Sequence, residues 1–207
     1  MKLLHIDSGL VREGSVSRQL SARIVEQVRK TRRDIDVSYR DLASDPPAHL
    51  TAEIFAGAER DGDEADGPTL REIARSRDLL AEFLAADIVV IGAPMYNFSI
   101  PSPLKAWLDR VLKAGATFRY TADGPVGLAG GKQVIVASAR GGVYSSGPAS
   151  AMDHQESLLA TAFRMMGIED VRFIRAEGVA KGPEGRDNAL RAAGATIRGI
   201  GIARKAA

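Results

Sequence analysis

A chain of 207 residues, 45% hydrophobic and 26% charged, is long enough for one sizeable core and short for two, so a single domain over residues 1–207 is expected. Its 28 basic residues are scattered and, against 26 acidic ones, leave a net charge of only +2, which argues against a nucleic-acid partner. The absence of cysteine excludes disulfides, thiolate catalysis and thiolate metal sites and fits a reducing cytoplasm, while no apolar run approaches a membrane span.

Leu3, Leu4 and Ile6 form a first strand that ends at Asp7-Ser8-Gly9, and His5 and Asp7 interrupt the N-terminus before a signal-peptide core can form. Leu20, Ile24, Val25 and Val28 share one face of a helix from about Ser17 to Arg32, and a second strand covers Ile35 to Arg40. From Asp41 to Pro68 the pair Pro46-Pro47 and the acidic run Glu59 to Glu64 predict an irregular, mobile insertion. A long helix follows, striped by Ile73, Leu80, Phe83 and Leu84. It leads directly into Ile88 to Ile91, an apolar run without alternation that predicts a strand covered on both faces and ended by Pro94. Leu104, Trp107, Leu108, Val111 and Leu112 repeat the helical stripe after Pro103. Gln133 to Ala139 is a fourth strand, Leu159, Ala162, Phe163 and Met166 mark a fourth helix, Val171 to Ile174 is a fifth strand, and Asp187 to about Arg204 is a final helix. Strand and helix alternate five times, with no internal repeat, which predicts an α/β fold with a parallel sheet and helices on both faces.

Such a sheet gathers ligands at the carboxyl ends of its strands. Gly14-Ser15-Val16-Ser17 supplies two hydroxyls and backbone N–H groups at a helix N-terminus, where a phosphate is favoured, although a plain N-cap reads equally well from the motif alone. Met95-Tyr96-Asn97-Phe98 places two flat rings beside an amide at the end of the central strand, a surface suited to a planar heteroaromatic ligand. Ala139-Arg140-Gly141-Gly142-Val143-Tyr144 follows the fourth strand, and its paired glycines serve either a simple turn or a close backbone approach to a ligand edge.

Other chemistries fit poorly. Gly130-Gly131-Lys132 lacks the first glycine and the Ser/Thr of a phosphate-binding P-loop, and no Gly-x-Gly-x-x-Gly or Gly-x-Ser-x-Gly occurs. Asp61, Asp63 and Glu72 only partly match a calcium loop, and His5, His49 and His154 are widely separated, His5 being expected to pack at the first strand.

Together the Ser15-Val16-Ser17 loop, Ala93-Pro94-Met95-Tyr96-Asn97-Phe98, the stretch Ala114 to Tyr120 and Ala139-Arg140-Gly141-Gly142 resemble the FMN-dependent NADH:azoreductase and quinone reductase family, from Met1 to the last helix. The resemblance implies a flavodoxin-like three-layer sandwich with strand order 2-1-3-4-5. It implies a homodimer binding one FMN per subunit near the interface and passing two electrons from NADH to quinones or azo compounds. By position, Gly9, Ser15, Val16 and Ser17 would hold the FMN phosphate, Met95, Tyr96, Asn97 and Phe98 would line the flavin ring, and Ala139, Arg140, Gly141 and Gly142 would meet its polar edge. Asn97 would contact the reactive flavin nitrogen through its backbone N–H, and Phe98, Phe118 and Tyr120 would receive the acceptor, with Phe118 to Tyr120 exposed in an isolated subunit. Two positions depart from the family pattern: Gly9 replaces the second serine of a common pair, and Ala139 stands where serine is usual. An electron-carrier flavodoxin is the rival reading; the near-neutral charge and the inserted segment Phe118 to Gly127 oppose it.

Overall fold

The structure is a computed structural model and describes residues 1–57 and 67–201. The chain runs β1 (Lys2–Asp7), α1 (Val16–Thr31), β2 (Asp36–Asp41), α2 (Ala52–Gly57), α3 (Gly67–Ala85), β3 (Ile88–Pro94) and α4 (Ser102–Val111). It continues through β4 (Phe118–Thr121), β5 (Gly124–Gly127), β6 (Gln133–Ala139), α5 (Glu156–Met165), β7 (Asp170–Ala176) and α6 (Gly182–Arg198). A five-stranded sheet is ordered β2-β1-β3-β6-β7, every neighbouring pair parallel. Counting only the strands of this sheet, that is the expected order 2-1-3-4-5.

Side-chain alternation along the strands divides the core into two layers. Leu4, Ile6, Val89, Ile91, Val134 and Val136 join Phe83, Trp107 and Phe163 on the face covered by α3, α4 and α5. Leu3, Ile88, Val90 and Ile135 meet Leu20, Ile24 and Val28 of α1 and Ala193 and Ile197 of α6 on the other. Burial on both faces explains why β3 and β6 carry unbroken apolar runs. No helix among the described residues is long and apolar enough to cross a membrane.

Several boundaries differ from those expected. The stretch 41–68, expected to be irregular, contains the short helix α2, whose Ile54 is buried, and residues 58–66 lie outside the described residues. The last helix begins at Gly182 rather than Asp187, because Pro183 fits a first helical turn, and ends at Arg198; residues 202–207 lie outside the described residues. Phe118 to Tyr120 is not uniformly exposed: it starts the antiparallel hairpin β4–β5, where Phe118 is buried against Tyr120, edge to face at 5.3 Å between ring centroids, while Arg119 is exposed and Tyr120 is open at 72% exposure. Lys132 of the near-miss P-loop has another task, donating to the carbonyls of Leu84 and Ala86 at the carboxyl end of α3 at 2.7 and 2.6 Å.

One packing constraint places α1 against the carboxyl edge of the sheet. Gly92 of β3 faces α1, and a Cβ there would lie 2.2 Å from Asp7 Oδ1, 3.1 Å from Ser21 Oγ and 3.3 Å from the Ser17 carbonyl. Asp7 is buried and accepts hydrogen bonds from Ser21 at 2.7 Å and Tyr39 at 3.1 Å, so its carboxylate has no room to retreat. Gly92→Ala is therefore expected to lower the unfolding free energy by about 1–3 kcal/mol through overpacking. Urea denaturation measures this, and an unchanged midpoint would show that α1 is not held as described.

Candidate active site

All five strands of the main sheet are parallel, so the loops after β1, β3 and β6 emerge on one edge, and β1 lies where the strand order turns back. The first loop is fixed at its root, since the Ser8 N–H and hydroxyl both donate to the Gly92 carbonyl, at 3.1 and 2.8 Å. Ser15 caps α1, its Oγ accepting from the Arg18 N–H at 3.4 Å and lying 3.2 Å from Ser17 Oγ. The N–H groups of Val16 and Ser17 have no carbonyl four residues earlier in the helix, and no acidic residue occupies the first turn. A Cβ at Gly9 would lie 3.3 Å from both serine hydroxyls and 3.4 Å from the Pro94 ring, so the loop, α1 and the end of β3 bound one small polar cradle. Its chemistry, hydroxyls and N–H donors at the positive end of a helix dipole, suits an anion.

The second loop is a two-residue turn. Tyr96 and Ser99 exchange N–H to carbonyl bonds of 3.0 Å, and the central residues Asn97 and Phe98 have φ of 47° and 69°, as a type I′ turn requires. Asparagine tolerates this region, but a bulky residue there costs about 1–2 kcal/mol. Phe98 is half open, meeting Tyr144 edge to face at 6.2 Å between centroids. The turn's own bonds use the N–H groups of Tyr96 and Ser99, while those of the exposed Asn97 and Phe98 make no hydrogen bond among the described residues. The Tyr96 hydroxyl accepts from the Leu10 N–H at 3.2 Å, tying this loop to the first, and the Met95 N–H donates to the Ala139 carbonyl at 2.8 Å, tying it to the third.

Beneath the third loop is a buried polar network. Gln155 donates to the Ala93 carbonyl at 2.9 Å and accepts from Ser138 and Arg140 at 3.1 and 3.0 Å, bridging the carboxyl ends of β3 and β6. The Arg140 side chain is fully buried, with its guanidinium 2.6 Å from Glu156, 2.9 Å from Asp153 and 3.2 Å from Glu177. Glu177 accepts from the N–H groups of Tyr144 and Ser145 at 2.7 and 2.9 Å and from the Ser145 hydroxyl. Burial pushes the Glu177 carboxyl up, but these bonds and Arg140 outweigh it and hold the group below its ordinary range. The carbonyls of Arg140, Gly141 and Gly142 accept from Val179, Ala180 and Gly178, so segment 178–180 braces the loop from behind.

Gly9, Ser15, Val16 and Ser17, Met95 to Phe98, and Ala139 to Gly142 thus share one edge, although Arg140 offers it backbone only. Phe118 and Tyr120 do not join them within the chain. They line a separate cavity of about 300 Å³ with Leu50, Ile54 and Phe55. Sequence reasoning placed Tyr144 in the third loop without its contact to Phe98, and it missed Gln155, Glu177 and Arg18, the last of which donates to the Gly9 carbonyl at 2.9 Å and to Asp41 at 2.7 and 3.0 Å. Only a basic residue three positions after an N-cap, where the helix dipole disfavours it, hinted at the last.

The sequence model of the flavodoxin-like fold family matches residues 1–199. The chain belongs to that family. Within the flavodoxin-like fold it is 56% identical over 198 residues to an FMN-dependent NADH:quinone oxidoreductase of Rhizobium meliloti, covering 95% of each chain. It is 53% identical over 201 residues to one of Ralstonia nicotianae, covering 97% of each. Among solved structures it resembles an FMN-dependent NADH-azoreductase of Bacillus anthracis in complex with FMN, with a TM-score of 0.83 and 27% identity over 95% of this chain and 97% of that one.

For this flavodoxin-like chain the Phe98 turn gives a direct test. Phe98→Gly should leave the unfolding free energy within about 1 kcal/mol, because relief of the left-handed strain offsets the lost ring contact. A fall of more than about 2 kcal/mol in denaturant unfolding would make the ring a structural rather than a ligand-facing group.

Proposed function

We propose that this chain is an FMN-dependent oxidoreductase that passes two electrons from NADH to quinones and, more slowly, to azo compounds. The observation that carries this reading is the convergence of three loops on the acid-free N-terminus of α1, beside an open aromatic turn, in a chain whose relatives are named for this activity. The cradle fits FMN: Ser15, Ser17 and the N–H groups of Val16 and Ser17, with Gly9 allowing close approach, hold the phosphate. Met95, Tyr96, Asn97 and Phe98 line the ring. The backbone of Ala139, Arg140, Gly141 and Gly142 meets its polar edge. FMN, when bound, supplies the redox chemistry.

The protein's part is to orient and to donate hydrogen bonds where charge develops. The N–H of Asn97, which makes no bond within the turn, provides such a donor. Asn97 and Phe98 are open to solvent, and donor and acceptor that use this one open side in turn give ping-pong kinetics. NADH with one proton enters and NAD⁺ leaves before a quinone enters and leaves as hydroquinone. Double-reciprocal plots for NADH and a benzoquinone should be parallel, whereas intersecting lines would exclude this order and negligible NADH oxidation would favour an electron carrier.

The active unit is a homodimer in the cytoplasm. Tyr120, Phe55 and Leu50 are exposed around one cavity that Phe118 also lines, an apolar surface for a second copy to cover, and by the family resemblance Phe118 and Tyr120 would then serve the acceptor site of that copy. Light scattering should give twice the chain mass; a fully active monomer would overturn the shared acceptor site.

The phosphate site is tested by ligand choice. A hydrogen bond to a charged group contributes about 1.5–3 kcal/mol, so Ser17→Ala should weaken FMN binding by roughly ten- to a hundredfold and leave riboflavin binding unchanged. Gly9 is not at positive φ, and a Cβ there would meet two rotatable hydroxyls at 3.3 Å and the Pro94 ring at an ordinary 3.4 Å, so Gly9→Ser should tighten FMN. Equal losses for both flavins in Ser17→Ala would move the phosphate elsewhere.

A further inference from the structure

We propose that Arg18 is a positioning residue that strengthens the preference of the site for a phosphorylated flavin, a role that rests on the phosphate reading above. Position 9 carries no hydroxyl, so the discrimination that Ser15 and Ser17 provide is left to be completed by charge and backbone. A cation in the first turn of a helix opposes the dipole. Arg18 does not extend over the helix end, however; it folds back, its side chain only 13% exposed.

Every contact of its guanidinium lies behind the first loop. Nε and Nη2 donate to the Gly9 carbonyl at 3.3 and 2.9 Å, Nη2 and Nη1 grip the two oxygens of Asp41 at 2.7 and 3.0 Å, and Nη1 donates to the Tyr39 hydroxyl at 3.2 Å. Nη1 is also 3.8 Å from Asp7 Oδ2. Tyr39 passes the contact on by donating to Asp7 at 3.1 Å.

Two carboxylates, at the ends of β1 and β2, therefore stand behind the anion cradle. Asp41 stays ionised: burial pushes its carboxyl up, but the bonds from Arg18 and Ser44 hold it far below the usual range. The other basic group near Asp41, Arg12, is 3.9 Å away and 68% exposed, where screening leaves it little effect. Arg18 is thus the buried counter-charge that allows a phosphate to approach Asp7 and Asp41. It also holds the negative end of the Gly9 peptide away from the anion. Both effects act on a charged ligand and not on a neutral one.

The test is titration of the full-length apoprotein with FMN and with riboflavin, read by flavin fluorescence, for wild type, Arg18→Met, Arg12→Met, Asp41→Asn and the double variant Arg18→Met/Asp41→Asn. Arg18→Met should weaken FMN at least about tenfold and riboflavin less than about threefold, as the loss of a charge-assisted contact implies. The double variant should recover most of that loss, Arg12→Met should resemble wild type, and Asp41→Asn, which keeps Arg18, should raise the preference for FMN. A purely structural role would weaken both flavins alike without rescue, and that result overturns the proposal, as does a lower FMN preference in Asp41→Asn. Wild type lacking any preference for FMN would defeat the phosphate reading itself. A wild-type preference that persists undiminished in Arg18→Met would defeat only the role of Arg18.

Discussion

The carboxyl edge of this protein depends on the contact between α1 and the end of β3, across Gly92. Because that residue has no side chain, the Ser17 carbonyl, Ser21 and the buried Asp7 carboxylate occupy the space where a Cβ would lie. The contact brings the N-terminal turn of α1 beside Pro94 and the aromatic turn that follows. The helix dipole and the N–H groups of Val16 and Ser17 are then available to an anion at the same edge as a platform for a planar ring. A side chain at position 92 would separate the two halves of the site.

The loops around this contact are held by polar groups buried beneath them rather than by apolar packing. Gln155 spans the ends of β3 and β6, and Arg140 lies among Asp153, Glu156 and Glu177, with Arg175 2.7 Å from Glu156 as a second cation. Such a network is costly if any member loses its partner and rigid when all are paired. The first loop is organised in the same way by Arg18, Asp41, Tyr39 and Asp7. Rigidity behind the loops is what permits the strained turn at Asn97 and Phe98, since a bulky residue at positive φ persists only where its surroundings fix it.

Much of this was legible in the sequence for reasons that differ between elements. The run Ile88 to Ile91 closed by Pro94 marks a central strand because two-sided burial removes alternation, and the stripes of α1 and α4 follow from helical periodicity. The loops after β1, β3 and β6 could be picked out because strand ends in parallel sheets collect ligands. The hairpin β4–β5 was not visible as such: each strand has four residues, and Arg119, Tyr120 and Thr121 are exposed on a surface ribbon with no periodic burial to betray it. Arg140 reads as a loop cation in sequence and is a buried ion-pair centre in the fold, because its partners come from residues 153–177. The φ of Phe98 was unreadable because phenylalanine is not a residue that turns select. Arg18 escaped notice because its meaning lies at Asp41, on a different strand.

The central claim is that the three loops form a flavin site with one FMN per chain. It is tested most directly by the visible absorption spectrum of the purified full-length protein, reconstituted with FMN and freed of excess, before and after denaturation. The account predicts flavin bands perturbed in the folded protein, and release of one FMN per chain on unfolding. A folded protein that retains no flavin after reconstitution would contradict it.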